Sequence, residues 1–306
     1  MSTQPEFPHG SLQESIAAVA ARALAAGALL PIPTGCEFVE DGGVRFFVRV
    51  LTSLARKDEE RAAQRREAAA GKPVNPFLPY ERGLFVAGVS GTHVAILNKF
   101  NVVDRHLLIV TRKFEDQRSL LTPRDFEAWW RCMVEYDSLG FYNGGVEAGA
   151  SQAHKHLQLV PIPLAPEGPP VPVDPLLAKA GGEDRRGTIP GFDFRHSFAR
   201  LGEAGIGSAA ARLAYERYAA MLEQVGLRTP SGKDAELQSG PYCLLATREW
   251  MLLVPRSREF FDSISINSLG FAGALLVRNE EQLRTLREAG PFAALRETAL
   301  PPRCGA

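Results

Sequence analysis

The chain has little of what would mark a specialised surface. Its four cysteines, at positions 36, 132, 243 and 304, include no CxxC pair and no pairing pattern. That excludes a zinc ribbon and argues against a disulfide framework in a chain of 306 residues. Net charge is also missing: 35 Lys and Arg meet 35 Asp and Glu, and the pI is about 7.0. A function led by general electrostatic attraction, such as coating nucleic acid or an anionic membrane, is therefore excluded, although a local positive cluster is not. No apolar run reaches the ~18 residues a membrane span needs. The apolar stretch 16–30 has no basic region before it, carries Arg22 inside it and follows Glu6 and Glu14. It reads as an amphipathic surface helix rather than a secretion signal. There is no internal repeat and no low-complexity tail. These absences lead to the expectation of a cytoplasmic protein with no nucleic-acid or membrane partner.

What is present points to strands and loops. Gly and Pro number 28 and 22, more punctuation than a helical bundle tolerates. The β-rich runs 44–51, 84–89, 93–98 and 106–111 follow one another too closely for helical crossovers, so antiparallel pairing is predicted. Thr122-Pro123 with Asp125 opens a helix to about Asp137, whose Trp129-Trp130 pair reads as core packing. A strand at 154–160 follows, stopped by Pro161 and Pro163. The Pro- and Gly-rich span 164–190 reads as a long connection. Beyond it come a strand near 194–199, a helix at 209–225, a hairpin of 242–247 with 250–254, and helical stretches near 269–277 and 280–289. The segment 56–76 is dense in charge and reads as a solvated helix or loop. Strand clusters mixed with helices give an α+β class, an antiparallel sheet with flanking helices.

The chemistry concentrates in His154-Lys155-His156-Leu157-Gln158. On a strand, residues two apart share a face, so His154, His156 and Gln158 point one way while Lys155, Leu157 and Leu159 point the other. Upstream lies the glycine-rich run GGVEAGASQ, whose backbone N–H groups can approach an anion closely. Two imidazoles and an amide facing such a pocket suit covalent catalysis at phosphorus. Two other readings stay open on these residues alone. Paired histidines can bind a metal, although Gln is a poor third ligand, and the run can be a polar strand without a role.

SQAHKHLQLVP (151–161) resembles the signature of the diadenosine tetraphosphate phosphorylases, or ATP adenylyltransferases. These belong to the histidine-triad superfamily, in the galactose-1-phosphate uridylyltransferase-like branch. NPFLPYE (75–81), HVAILNKFNVVDRHLLIVTRKFEDQ (93–117), FYNGG (141–145), TREWMLLVPRS (247–257) and SINSLGFAGALLV (265–277) are similar to further blocks of that family in its order.

The resemblance implies a histidine-triad or uridylyltransferase-like fold and one compact unit over 1–306. Residues 30–165 would form an N-terminal region with the catalytic strand, and 185–300 a C-terminal region. It implies reversible phosphorolysis of diadenosine tetraphosphate to ATP and ADP. His156 would be the nucleophile forming an adenylyl-histidine, with His154 and Gln158 orienting it and touching phosphate oxygens. Ser151 and Gln152 would bind the phosphate chain beside the FYNGG residues Asn143, Gly144 and Gly145. Asn98 would hold the ribose, Lys57 would reach the polyphosphate, and Thr247, Arg248 and Met251 would line the far side of the pocket.

No tightly bound cofactor and no metal site are implied. A divalent cation such as Mg2+ would come with the substrate, and the small-molecule partners would be dinucleoside polyphosphate, ATP, ADP and phosphate. Gln158 stands where true histidine-triad hydrolases carry a third histidine, which favours transfer over hydrolysis. The clustered cysteines of many hexose-1-phosphate uridylyltransferases are missing. Two alternatives remain: a nucleotidyltransferase acting on a sugar phosphate, or a non-catalytic nucleotide sensor.

Overall fold

The computed structural model describes residues 7–52, 75–180, 186–202, 207–227 and 236–303. Nine strands form one sheet in the order β3-β4-β5-β7-β6-β10-β11-β9-β8. They are β3 (Phe85–Gly88), β4 (His93–Leu97), β5 (Leu107–Thr111), β6 (Ser138–Gly144), β7 (His156–Pro161), β8 (Arg186–Gly187), β9 (Ser197–Arg200), β10 (Tyr242–Ala246) and β11 (Trp250–Pro255). All of its pairings are antiparallel. Strands from both halves of the chain meet at the β6–β10 ladder, where Phe141 faces Leu245. The α+β class and the antiparallel sheet read from the sequence are both found.

One face of this sheet is covered by helices α1 (Leu12–Ala25), α2 (Pro123–Glu135) and, after the four-residue α3 (Asp174–Leu177), α4 (Ser208–Val225). Helix α1 buries Leu12, Ile16, Val19 and Ala23 at helical spacing, the amphipathic pattern expected of the 16–30 stretch. Helix α2 starts where it does because Thr122 and Asp125 cap each other reciprocally, with Pro123 in the first turn. Trp129 and Trp130 are core residues, as expected. Trp129 lies so close to β6 that a Cβ on Gly140 would come within 2.7 Å of its ring, so only glycine fits there.

The other face is covered unevenly. Over β6, β10 and β11 packs a three-stranded sheet of β1 (Thr34–Asp41), β2 (Val44–Leu51) and β14 (Ala274–Val277). The hairpin strands β12 (Phe260–Phe261) and β13 (Ile264–Ser265) join that layer, with helices α5 (Ser268–Phe271), α6 (Glu280–Ala289) and α7 (Pro291–Thr298). Over β4 and β5, among the described residues, lies a small apolar cluster in which Phe77 and Tyr80 of the segment 75–81 cover Val94, Ile96, Leu108 and Val110. A cavity of about 1040 Å³ opens between the two covers, over β5, β7 and β6.

One expectation is corrected. The stretch 269–277 is not one helix. It is the single turn α5, a Gly273 with φ +85 that no β-branched or bulky residue adopts cheaply, and then strand β14. Its apolar run ALLV pairs in parallel with β2, with Leu275 and Val277 buried and Ala274 and Leu276 half-buried. Among the described residues, no helix is long and apolar enough to cross a membrane.

Candidate active site

Strand β7 begins at His156, and His154 just before it forms an isolated backbone bridge with Asp116. The alternation read from the sequence holds. His156 faces Val110 and Gln158 faces both Leu108 and Phe141 on the cavity side, while Leu157 and Leu159 join the core under the helices. Lys155 lies on that opposite side, 1% exposed. Its ammonium donates to Glu115 (2.7 Å), Asp125 (3.2 Å) and the Leu120 carbonyl (3.3 Å). Burial alone would raise the Asp125 pKa, but the hydrogen bond from His93 and the charges of Lys155 and His93 hold it down at about 2. A buried cation therefore meets a buried anion directly behind the catalytic strand.

The tautomer of His156 follows from its partner. Its Nδ1 is 2.8 Å from the His154 carbonyl oxygen, which can only accept, so Nδ1 carries the hydrogen and Nε2 keeps a lone pair. Burial pushes the His156 pKa down to about 4, with the hydrogen bond to His154 opposing and the neighbouring His154 ring adding. At neutral pH the ring is uncharged, with a lone pair on Nε2 that is able to attack an electrophile.

Two histidines support it. The Nε2–H of His154 donates to Thr111, with 2.9 Å to the carbonyl and 2.8 Å to Oγ1, while Nδ1 accepts from Asn75 at 3.0 Å. Phe77 packs edge-on and Phe114 tilted against its ring, with centroids 5.7 and 5.5 Å away. Both ring nitrogens are thus occupied and His154 does not line the cavity, so the expected contact of its side chain with phosphate oxygens is not what the geometry shows. Its orienting part runs through its carbonyl. His106, which no motif singled out, lines the cavity. Its Nε2 donates to Gln158 Oε1 (3.1 Å) and its Nδ1 accepts from Asn98 Nδ2 (3.1 Å). Burial lowers its pKa to about 4, which keeps that relay neutral. The Gln158 oxygen being used, its amide N–H groups remain for the cavity.

The glycine-rich run forms the adjoining wall. Gly149 has φ +90, and a Cβ there would come 2.8 Å from Asn267 Cβ, so glycine is required at that closure. Ser151 and Gln152 follow it along the cavity. Asn143 lines it too, its Oδ1 held by the N–H and hydroxyl of Ser268. Two guanidiniums, Arg49 on β2 and Arg278 just beyond β14, line the far wall, and among the described residues neither makes an ion pair at salt-bridge distance. Burial lowers the Arg49 pKa, against smaller opposing influences of Cys36 and Asp104. Arg49 also donates to the Leu164 carbonyl at 3.5 Å and lies over the Phe47 ring. A neutral imidazole, amide donors and two guanidiniums without a carboxylate partner among the described residues are suited to hold a phosphate chain and to attack at phosphorus.

Residues 2–179 match the Ap4A phosphorylase N-terminal domain, and residues 190–301 match the ATP adenylyltransferase C-terminal domain. The chain belongs to the Ap4A phosphorylase family. Among curated relatives it is 29% identical over 271 residues to the diadenosine 5',5'''-P1,P4-tetraphosphate phosphorylase 2 of Saccharomyces cerevisiae, covering 80% of this chain and 79% of the relative. It is 27% identical to Protein APA1 of the same yeast, covering 79% and 78%. The fold is that of the yeast Ap4A phosphorylase Apa2, whose crystal structure superposes with a TM-score of 0.77 at 23% identity over 98% of this chain and 100% of that one. Apa2 has also been solved with Ap4A and with AMP, at TM-scores of 0.74 and 0.72.

For this member of the Ap4A phosphorylase family, the structure brings His156, Gln158, Asn98, Asn143, Ser151 and Gln152 together on the cavity. Gly144 and Gly145 lie behind its wall, packed under Gln238. Lys57 lies outside the described residues. The hairpin residues are corrected. Met251 is fully buried in the core under the helices. Thr247 caps the β10–β11 turn by accepting from the N–H groups of Glu249 and Trp250, and Arg248 pairs with Asp137 at 2.7 Å on the surface. The reason is strand direction. Tyr242 pairs with Gly144 near the cavity whereas Ala246 pairs with Gly140, so the turn at 247–249 leaves at the far end of the sheet.

Proposed function

We propose that this protein cleaves diadenosine tetraphosphate by phosphorolysis, releasing ATP and then ADP through an adenylyl group carried on His156. The observation that supports this reading most directly is the Nδ1–H of His156 donating to the His154 carbonyl, which leaves Nε2 free in a cavity that Arg49 and Arg278 also line. The Nε2 lone pair attacks the α-phosphorus, a bond forms from nitrogen to phosphorus, and the bond from that phosphorus to the bridging oxygen breaks. ATP departs with the electron pair. The leaving oxygen belongs to a polyphosphate and is weakly basic, so the step has no need of a general acid.

An oxygen of inorganic phosphate then attacks the same phosphorus. The nitrogen–phosphorus bond breaks, ADP leaves and the neutral imidazole returns. Gln158, with its oxygen tied to His106, offers N–H donors to the non-bridging oxygens, whose charge grows in each transition state. Arg49 and Arg278 would hold the phosphates beyond the α-position. Any divalent cation would travel with the polyphosphate, and the cytoplasm would supply these substrates.

Intact-protein mass spectrometry of enzyme mixed with diadenosine tetraphosphate, without phosphate, tests this. The expected result is an added adenylyl group on the wild type and none on His156→Ala, which should still bind ADP because the pocket remains. The same adduct on both proteins would remove His156 from its role.

A further inference from the structure

The ladder between β6 and β7 stops two pairs short of the nucleophile. Its register runs from Ser138 facing Pro161 to Phe141 facing Gln158, and its continuation would set Asn143 opposite His156. The two residues do not bond to each other there. The side-chain amide of Gln117 stands between them. Its Oε1 accepts the His156 N–H at 2.9 Å, and its Nε2 donates to the Asn143 carbonyl at 2.9 Å and reaches the His156 carbonyl at 3.5 Å. One inserted amide thus replaces one direct peptide–peptide hydrogen bond, with donor and acceptor both matched. The strands part by the width of that amide beside the wall formed by Gly149, Ser151 and Gln152.

Gln117 is itself fixed. It is 2% exposed, its N–H donates to the Ala153 carbonyl, and its carbonyl accepts from the Tyr142 hydroxyl. Two residues earlier, Glu115 accepts at its carbonyl from the Lys155 N–H and at its carboxylate from the Lys155 ammonium. The loop carrying Gln117 is therefore stapled to the catalytic strand from behind.

We infer that Gln117 is a positioning residue for the adenylyl transfer: its amide is a spacer that parts β6 from β7 and fixes the backbone of the nucleophile. It touches no substrate and acts through His156 and Asn143. This rests on the phosphorolysis reading and adds to it the group that sets the angle of attack. Misplacement of a nucleophile by about 1 Å can cost ~100-fold in rate without loss of binding.

The amide chemistry gives a specific test. In Gln117→Glu a carboxylate can still accept from the His156 N–H, but its second oxygen faces the Asn143 and His156 carbonyls and repels them. Protonation turns that oxygen into a donor and rebuilds the amide pattern, and burial beside carbonyls raises the pKa of such an acid. Gln117→Met keeps the groups that face this position, so any titration of theirs appears in both variants. His156 titrates near 4, burial lowers His154, and Tyr142 stays protonated far above the window. Asp116 is held ionised by Arg118, while Lys155 and Glu115 pair on the other side.

The experiment follows adenylyl-histidine formation in single turnovers with diadenosine tetraphosphate, beside ADP affinity, for wild type, Gln117→Glu and Gln117→Met between pH 5 and 8. At pH 8 both variants should form the adduct roughly 100-fold slower, with ADP affinity close to wild type. Towards pH 5 the Glu variant should recover roughly tenfold or more, while the Met variant should stay slow. A Glu variant whose rate is flat with pH, or variants that lose ADP affinity as much as rate, would overturn the positioning role alone. A wild type that forms no adduct would overturn the phosphorolysis reading and this inference with it.

Discussion

The Nε2 of His106 lies 3.1 Å from Oε1 of Gln158, fifty-two positions further along the chain, and this contact decides which end of the Gln158 amide faces the cavity. With Asn98 on the other ring nitrogen, the relay runs from amide to imidazole to amide, and each member has one compatible hydrogen-bonding state when His106 is neutral.

That neutrality predicts the pH dependence of stability. His106 and His156 are both held at about 4 against an ordinary 6.5. Between those values the unfolded chain takes up protons that the folded chain refuses. Folding is therefore unaffected above about pH 6.5 and progressively destabilised as pH falls towards 4, by on the order of 3 kcal/mol per histidine. The urea midpoint should drop from pH 7 to pH 5, and drop less in His156→Asn. Equal drops in the two proteins would contradict the buried, neutral state of His156.

Lys155 supports a second expectation. Lys155→Met keeps much of the volume but leaves Asp125 buried with only His93 and Thr122 as partners. Removing one partner of a buried ion pair costs about 3–5 kcal/mol, so the thermal midpoint should fall sharply. A midpoint unchanged within error would mean that Asp125 relaxes towards solvent.

The cavity wall separates two arginines that sequence alone does not distinguish. Arg49→Ala should raise the KM for diadenosine tetraphosphate, since a hydrogen bond to a charged group contributes about 1.5–3 kcal/mol. Arg248→Ala should leave KM and kcat unchanged, because its guanidinium is spent on Asp137 at an exposed turn. Steady-state kinetics of the two variants, side by side, decide this. The reverse result would move the phosphate chain to the other end of the sheet.

Much of this was legible in the sequence because it is local. The faces of His156 and Gln158 follow from a period of two residues, and the helix start at Thr122 from the residue types Thr122, Pro123 and Asp125. The roles of His106, Gln117 and Arg49 were not legible, although the first two lie in the block 93–117, because each acquires its role from register. Gln158 meets His106 only once β5 and β7 are paired, and Arg49 joins Arg278 at one wall only because β14 lies parallel to β2. The hairpin 242–254 was found as an element, yet its direction relative to β6 sends Arg248 away from the cavity. The split of 269–277 into a turn and a strand depended on Gly273, which has a positive φ and where a Cβ would come 2.7 Å from Pro172.

The acceptor is the last question the geometry addresses. The adenylyl-histidine must outlast the departure of ATP until phosphate arrives, although water is far more abundant. A third histidine at position 158 would bring a group that titrates near neutrality and can take a proton from attacking water. Gln158 cannot, and its oxygen is already engaged by His106 Nε2–H, so only N–H donors face the reacting phosphorus. Phosphate is an anion with an oxygen ready to attack. It needs positive charge rather than a base, and Arg49 and Arg278 line the same cavity. Gln158→His should therefore increase the share of AMP among the products, and the gain should be larger in Gln158→His with His106→Asn, where the new imidazole is released from its neighbour. Chromatography of products with and without phosphate reads both effects. Rapid AMP release by the wild type in phosphate-free buffer would show that water needs no such base here and would make the enzyme a hydrolase.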